Sequence, residues 1–201
     1  VTSPIKSPLP LRRNAFGVTP RLPGDLVTLV PLGLRHLEEY MLMLADPEVR
    51  LMTGSESFPR RTIIEWLTAR PQQTDRADWA ITSTDTGAFL GEAVLNQFEP
   101  ANAAANFRIA LCGPTSFGKG FGTAATMTAV RHGFSQVGLH RISLEVFDFN
   151  ARAHRSYVKA GFVQEGVKRD AHHDESGWHD VIVMAVLAAG QQPEPASARH
   201  H

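Results

Sequence analysis

The chain has 201 residues, enough for one domain with a sizeable core, and at 43% apolar and 20% charged its composition is that of a globular protein. Its 20 basic residues balance its 20 acidic ones, which removes any bulk electrostatic case for a nucleic-acid or membrane-surface partner. A single cysteine, Cys112, excludes an internal disulfide, and with neither an apolar leader pattern nor an uninterrupted apolar span the expected setting is a reducing cytoplasm.

Residues 1–25 hold Pro4, Pro8, Pro10, Pro20 and Pro23 among scattered basic residues, lack periodicity, and read as a loosely packed arm. Residues 189–201, with Pro193, Pro195 and no apolar pattern, read as a tail. The domain between them, residues 26–188, begins with a strand over 26–32, followed by Leu34, Leu37, Met41 and Leu44 at helical spacing. Asp46-Pro47 opens a second short helix, and 61–70 carries Ile63, Ile64 and Leu67 in a third. Residues 79–83 and 88–95 flank an Asp85-Thr86-Gly87 turn, the mark of an antiparallel hairpin. A further strand, 106–112, places Phe107, Ile109 and Leu111 on one face.

The pattern then changes. Met127, Val130, Phe134 and Val137 form a helical stripe, and Ile142, Leu144 and Val146 alternate as a strand. Asn150 caps a helix running to Lys159, which Gly161 ends. Residues 162–167 and 181–187 read as closing strands around a polar, histidine-bearing loop. Antiparallel strands, one β-α-β crossover and a final α-β-β give an α+β layout rather than a doubly wound sheet.

Between the 106–112 strand and the next helix lies Gly113-Pro-Thr-Ser-Phe-Gly118-Lys119-Gly120-Phe121-Gly122-Thr123. Exposed amides and a helix dipole at such a place favour a phosphate, and glycines let backbone approach it closely. The competing reading is a flexible loop whose glycines only permit tight turns. Two nucleotide motifs nearly match. Residues 113–119 fit the start of a Walker A loop, but the hydroxyl residue that must ligate magnesium is replaced by Gly120. Residues 120–125 fit a dinucleotide fingerprint ending in Ala125, with Glu145 about 20 residues on to hold a ribose. Against that reading, Glu145 falls inside an alternating strand and there are too few β-α repeats.

The glycine-rich loop, then Val146-x-x-x-Asn150 and Tyr157-x-Lys159-x-Gly161-Phe162, resembles the GNAT N-acyltransferases, particularly their RimJ/RimL-like branch. The resemblance spans about residues 26–187, with the distinctive motifs confined to 118–162. It implies a GNAT fold, a mixed, mostly antiparallel central sheet flanked by helices, and transfer of the acetyl group of acetyl-CoA to an amine. It implies CoA pyrophosphate binding by Phe117, Gly118, Lys119, Gly120, Phe121, Gly122 and Thr123, and a contact of Asn150 with the pantetheine arm. It also implies that Tyr157 protonates the leaving thiolate, whereas helical spacing alone places Tyr157 in the core beside Ala153 and Ala160.

Two departures from the family pattern stand out. Phe117 replaces the Gln or Arg common before the loop, and the acidic residue many relatives carry on the preceding strand is missing from Asn106-Phe107-Arg108-Ile109. Glu92, on the hairpin, is then the leading side chain for a general base, against a reading as a solvent-facing strand carboxylate; Glu145 is the weaker candidate. Cys112 reads as a buried strand residue rather than a covalent relay. His172, His173 and His179 with Asp174 and Asp180 match no familiar zinc spacing, so no metal is expected. The implied partners are a small-molecule or peptide amine and, as the resemblance permits, a second copy of the chain. Two other classes stay open: a degenerate CoA-binding module, suggested by the missing strand carboxylate, and a nicotinamide enzyme using 120–125 and Glu145.

Overall fold

The computed structural model describes residues 16–188. Seven strands form one sheet: β1 (Val27–Pro31), β2 (Ala77–Ser83), β3 (Phe89–Glu99), β4 (Ala104–Leu111), β5 (Arg141–Phe147), β6 (Val163–Asp174) and β7 (Gly177–Leu187). Their spatial order is β1-β2-β3-β4-β5-β7-β6. Between β1 and β2 lie α1 (Leu37–Ala45), α2 (Pro47–Thr53) and α3 (Arg60–Ala69); α4 (Phe121–His132) joins β4 to β5, and α5 (Ala151–Lys159) joins β5 to β6. This is the expected GNAT architecture.

Strand alternation sends side chains to two different cores. Leu29, Trp79, Ile81, Phe107, Ile142 and Leu144 meet Ala125, Ala129 and Val130 of α4 and Tyr157 of α5 on one face. Ala80 with Leu32 meets Tyr40, Met43, Val49, Ile63 and Leu67 of α1–α3 on the other. That second helical layer contacts β3 and β4 but has no comparable packing on β5–β7, so half of one sheet face is left uncovered by the described residues.

The functional opening comes from one strand pair. β4 and β5 are the parallel pair, and their pairing is confined to Ala104↔Arg141, Ala105↔Ile142 and Asn106↔Ser143. Beyond it, β4 pairs only with β3 and β5 only with β7. The sheet therefore splits into a V towards the C-terminal ends of both strands, where the glycine loop and α5 begin.

Two expectations are corrected. Of the loosely packed arm, residues 16–25 are described and are held in place: Phe16 is buried against Phe98, Leu22 bridges Leu29, and Trp79 Nε1 donates to the Pro20 carbonyl at 2.8 Å. Residues 1–15 and the 189–201 tail lie outside the described residues. The polar stretch expected as a histidine-bearing loop is instead strand: β6 runs to Asp174 and β7 starts at Gly177, with His172↔His179 and His173↔Trp178 in register. Its polarity reflects a sheet edge whose residues are mostly exposed, as an antiparallel edge allows.

Candidate active site

The donor end is built from backbone. Gly113, Gly118 and Gly120 take φ values of +50°, +73° and +83°, which side-chain-bearing residues adopt only with strain. Gly120 is the N-cap of α4 in a left-handed conformation. The amides of Phe121, Gly122 and Thr123 belong to the first turn of that helix and have no intrahelical acceptor. Phe117, Gly118, Gly120, Phe121, Gly122 and Thr123 all line the cleft; Lys119 is exposed at its edge instead. Thr123 Oγ1 and Ser156 Oγ are 2.8 Å apart, which ties α4 to α5. Arg152, Arg155 and Lys159 of α5 also line the cleft. Unspent amides, a helix dipole and three cations match the pyrophosphate and further phosphate of CoA in kind and charge.

Phe117, which replaces a polar residue, has a specific contact. The Arg152 guanidinium lies 3.5 Å from its ring centroid and also pairs with Glu48 of α2 at 3.2 Å. Asn150 caps α5 as predicted, its Oδ1 accepting from the Ala153 amide at 3.1 Å, and its Nδ2 donates to the Met52 carbonyl at 3.3 Å. α2 is thereby fastened across the cleft to the start of α5.

The other end of the cleft is built from side chains. Tyr157 lies on the buried face of α5, 7% exposed, and lines the cleft. Burial pushes its phenol up from the ordinary tyrosine value, so it stays protonated throughout the neutral range. No hydrogen bond to its hydroxyl occurs among the described residues, which leaves the donor unspent.

Glu92 is not the solvent-facing strand carboxylate of the alternative reading: it is 5% exposed and lines the same cleft. Its Oε2 accepts from Tyr40 Oη at 3.0 Å and its Oε1 from Arg108 Nη2 at 3.2 Å. Burial, then the Glu92 charge, pushes the Tyr40 phenol up strongly, so Tyr40 acts as a fixed donor to that carboxylate. A buried, cleft-lining carboxylate thus stands on β3, one strand away from the β4 position where the acid is missing. Glu145 is half-exposed and ion-paired with Lys168. Cys112 packs with the α1–α3 core, and burial together with Asp46 and Glu39 pushes its thiol up to about 12, which keeps it un-ionised.

Of the three histidines of β6 and β7, His172 lines the cleft and His173 and His179 lie outside its lining. His172 stacks on Phe147 with centroids 4.2 Å apart, Phe149 meets His179 edge-on, and His179 Nε2 lies 3.0 Å from Asp174. Two hydrogen bonds from Ser176 hold Asp174 well below the usual carboxylate range. No group of three His, Cys, Asp or Glu placed to hold a metal occurs among the described residues.

These parts enclose one cleft of about 730 Å³ running from the glycine loop, through the β4/β5 opening, to Glu92, Arg108 and His172. Sequence reasoning missed Arg108 and Arg152 in the lining and Tyr40 behind Glu92, since nothing local marks them. The glycine loop and the buried Tyr157 phenol share one cleft at the β4/β5 opening, the juxtaposition that the resemblance implies for transfer from acetyl-CoA.

Comparison with known proteins agrees. The acetyltransferase (GNAT) domain family matches residues 27–163. The chain is 26% identical over 172 residues to an uncharacterized N-acetyltransferase, YoaA, of Bacillus subtilis, covering 84% of this chain and 97% of that one. Spermidine N-acetyltransferase from Vibrio cholerae, solved with CoA and spermine, superposes with a TM-score of 0.75 at 21% identity, over 82% of this chain and 96% of that one. RimJ of Mycobacterium smegmatis, solved with CoA-disulfide, gives a TM-score of 0.73 at 22% identity, over 86% and 89%. The chain belongs to the GNAT acetyltransferase family. It is accordingly an acyltransferase of the N-acetyltransferase type, in a family that uses acetyl-CoA and acts on amines.

Proposed function

We propose that this protein, a member of the RimJ/RimL-like branch, transfers the acetyl group of acetyl-CoA to a primary amine by direct attack within a ternary complex. The observation that carries the reading is continuity: a single cleft joins the amide cradle at residues 118–123 to both Tyr157 and Glu92. The loop amides and the α5 cations hold the donor's phosphates. The β4/β5 opening admits its pantetheine arm, for which the second amide hydrogen of Asn150 remains. When bound, the donor supplies a thioester carbonyl as electrophile.

The remaining chemistry falls to two side chains. An amine near pKa ~10.4 costs roughly 4–5 kcal/mol to deprotonate at neutral pH, and an α-amine near ~8 about 1 kcal/mol. Glu92, oriented by Tyr40 and Arg108 and with acceptor positions left, takes that proton directly or through a water. Tyr157 donates to the departing sulfur. Its raised pKa makes complete proton transfer more uphill than for an ordinary tyrosine, so it stabilises the leaving thiolate chiefly as a hydrogen-bond donor.

No specific observation favours the nicotinamide reading: Glu145 is held by Lys168 and the sheet has one short parallel pair. No helix among the described residues is long and apolar enough to cross a membrane, and the lone cysteine suits the reducing cytoplasm we propose. Thiol release from acetyl-CoA, followed across a panel of amines, tests the reading. Amine-dependent release that Tyr157→Phe suppresses is the expected result. Tight CoA binding with no release for any amine would instead identify a degenerate binding module.

A further inference from the structure

The acceptor end of the cleft carries a charge pattern that narrows the amine. The sheet face left uncovered beside α1–α3 presents Asn106 and Arg108 from β4, and Arg141, Ser143 and Glu145 from β5. Three carboxylates on or beside this face are engaged by cations, Glu92 by Arg108, Glu145 by Lys168 and Glu165 by Arg141, while Glu99, in a separate recess beside Arg141, accepts from the Asn102 amide. Of the described residues lining the cleft only Glu92 and Glu145 are acidic, and each is already ion-paired.

The two arginines differ in what they have left to give. Arg141 spends its guanidinium as a fork, Nη1 and Nη2 each reaching one oxygen of Glu165. Arg108 makes one contact with Glu92, at 3.2 Å, and its side chain is 54% exposed while lining the cleft. A guanidinium has five N–H donors, so the outward edge of Arg108 keeps the geometry that accepts a carboxylate two-pronged. Glu92, the proton acceptor of the proposed reaction, lies behind it.

Resting on the transferase reading above, we propose that the acceptor is an amine that also carries a carboxylate, and that Arg108 receives that carboxylate and so orients the amine. An amino acid and the acidic amino-terminal residue of a peptide share this chemistry. A polyamine lacks it and meets the charge of Arg108 in the cleft.

The test uses the full chain and acetyl-CoA with matched acceptors: phenylalanine against phenylalaninamide, Asp-Phe-amide against Asn-Phe-amide, and spermidine. Carboxylate-bearing members are expected to exceed their amides by roughly tenfold or more in kcat/KM, mainly through KM. The first pair reports amino-acid acceptors and the second acidic peptides. Because Arg108 also holds Glu92, Arg108→Gln lowers all rates, and the decisive readout is the acid-to-amide ratio. That ratio is expected to collapse towards one in Arg108→Gln and to recover in part in Arg108→Lys, which restores the charge without the fork. Preference for spermidine or for the amides, or a ratio unchanged in Arg108→Gln, overturns the acceptor class and leaves the transferase reading intact. No release with any member, by protein that acetyl-CoA stabilises, overturns the acceptor class, and the transferase reading falls with it only where the wider amine panel also gives no release.

Discussion

The two ends of the cleft are made in different ways. The donor end is local: residues 113–123 and the start of α5 supply it, largely as backbone amides and glycine conformations within fifty residues of one another. The acceptor end is assembled from distant parts, with Tyr40 bonded to a carboxylate 52 residues on and Arg108 arriving from another strand. A backbone cradle survives most side-chain changes and leaves a short signature in sequence. A side-chain constellation tunes chemistry and specificity and leaves almost none.

Substitutions that separate the two ends sharpen this contrast. The largest effect is expected at the chemical step: Tyr157→Phe should lower kcat by roughly 10²-fold or more while acetyl-CoA still stabilises the fold. Thiol-release kinetics beside a melting curve check both halves of that statement, and loss of CoA binding in the variant would show that the ends are not separable. Glu92→Gln should follow closely, with a greater loss for a lysine-like amine than for an α-amine, because the former needs more help to deprotonate.

At the donor end, Gly120→Val forces a β-branched residue to φ +83° with Leu26 only 3.4 Å from its Cβ. Strain of roughly 1–3 kcal/mol should weaken CoA binding by about 5- to 150-fold while the chain still folds. Calorimetric titration with CoA measures the loss, and unchanged affinity would remove the loop from the site. Arg152→Ala, which cuts the tie between α2, Phe117 and α5, should cost only a few-fold in CoA affinity, since its pair with Glu48 is partly exposed. The same titration reads this smaller change.

The smallest effect concerns the frame beneath the donor end. His132 of α4 is buried edge-on to Trp79, neither ring nitrogen has a hydrogen-bond partner among the described residues, and burial holds its pKa below the ordinary histidine value. The unfolded chain therefore binds the proton first. Stability should be full above about pH 6.5 and fall as pH drops below it towards the folded-state pKa. Melting temperature against pH should show a shallower decline for His132→Phe than for the parent; identical slopes would assign the decline to other groups, such as His36, whose pKa burial also lowers.

How far the fold was legible follows the same division. Apolar alternation and the Asp/Gly turn gave the β2–β3 hairpin, and Asn150 and Gly161 bracketed α5 close to its observed limits. Glu92 was found as a candidate but its surroundings were not. Strand alternation says which residues share a face, not which face a helix will cover, and Tyr40 lies in a helix far upstream. Of the β6–β7 hairpin the sequence marks residues 162–167 and 181–187 as strands but leaves the polar stretch between them as a loop, because an exposed edge has no apolar period to detect. Phe16 gave no signal of its burial, since a lone aromatic in a proline-rich stretch has no pattern to belong to.

The most direct test of the central claim, that the opening between β4 and β5 is a CoA-donor cleft, is a thermal-shift titration of the full chain with acetyl-CoA, CoA, NADH and ATP. Stabilisation by the two CoA species alone, approaching about 2.7 kcal/mol at a hundred times the dissociation constant, is the predicted result. Protection by NADH without protection by CoA, or no response to CoA at all, would contradict the account.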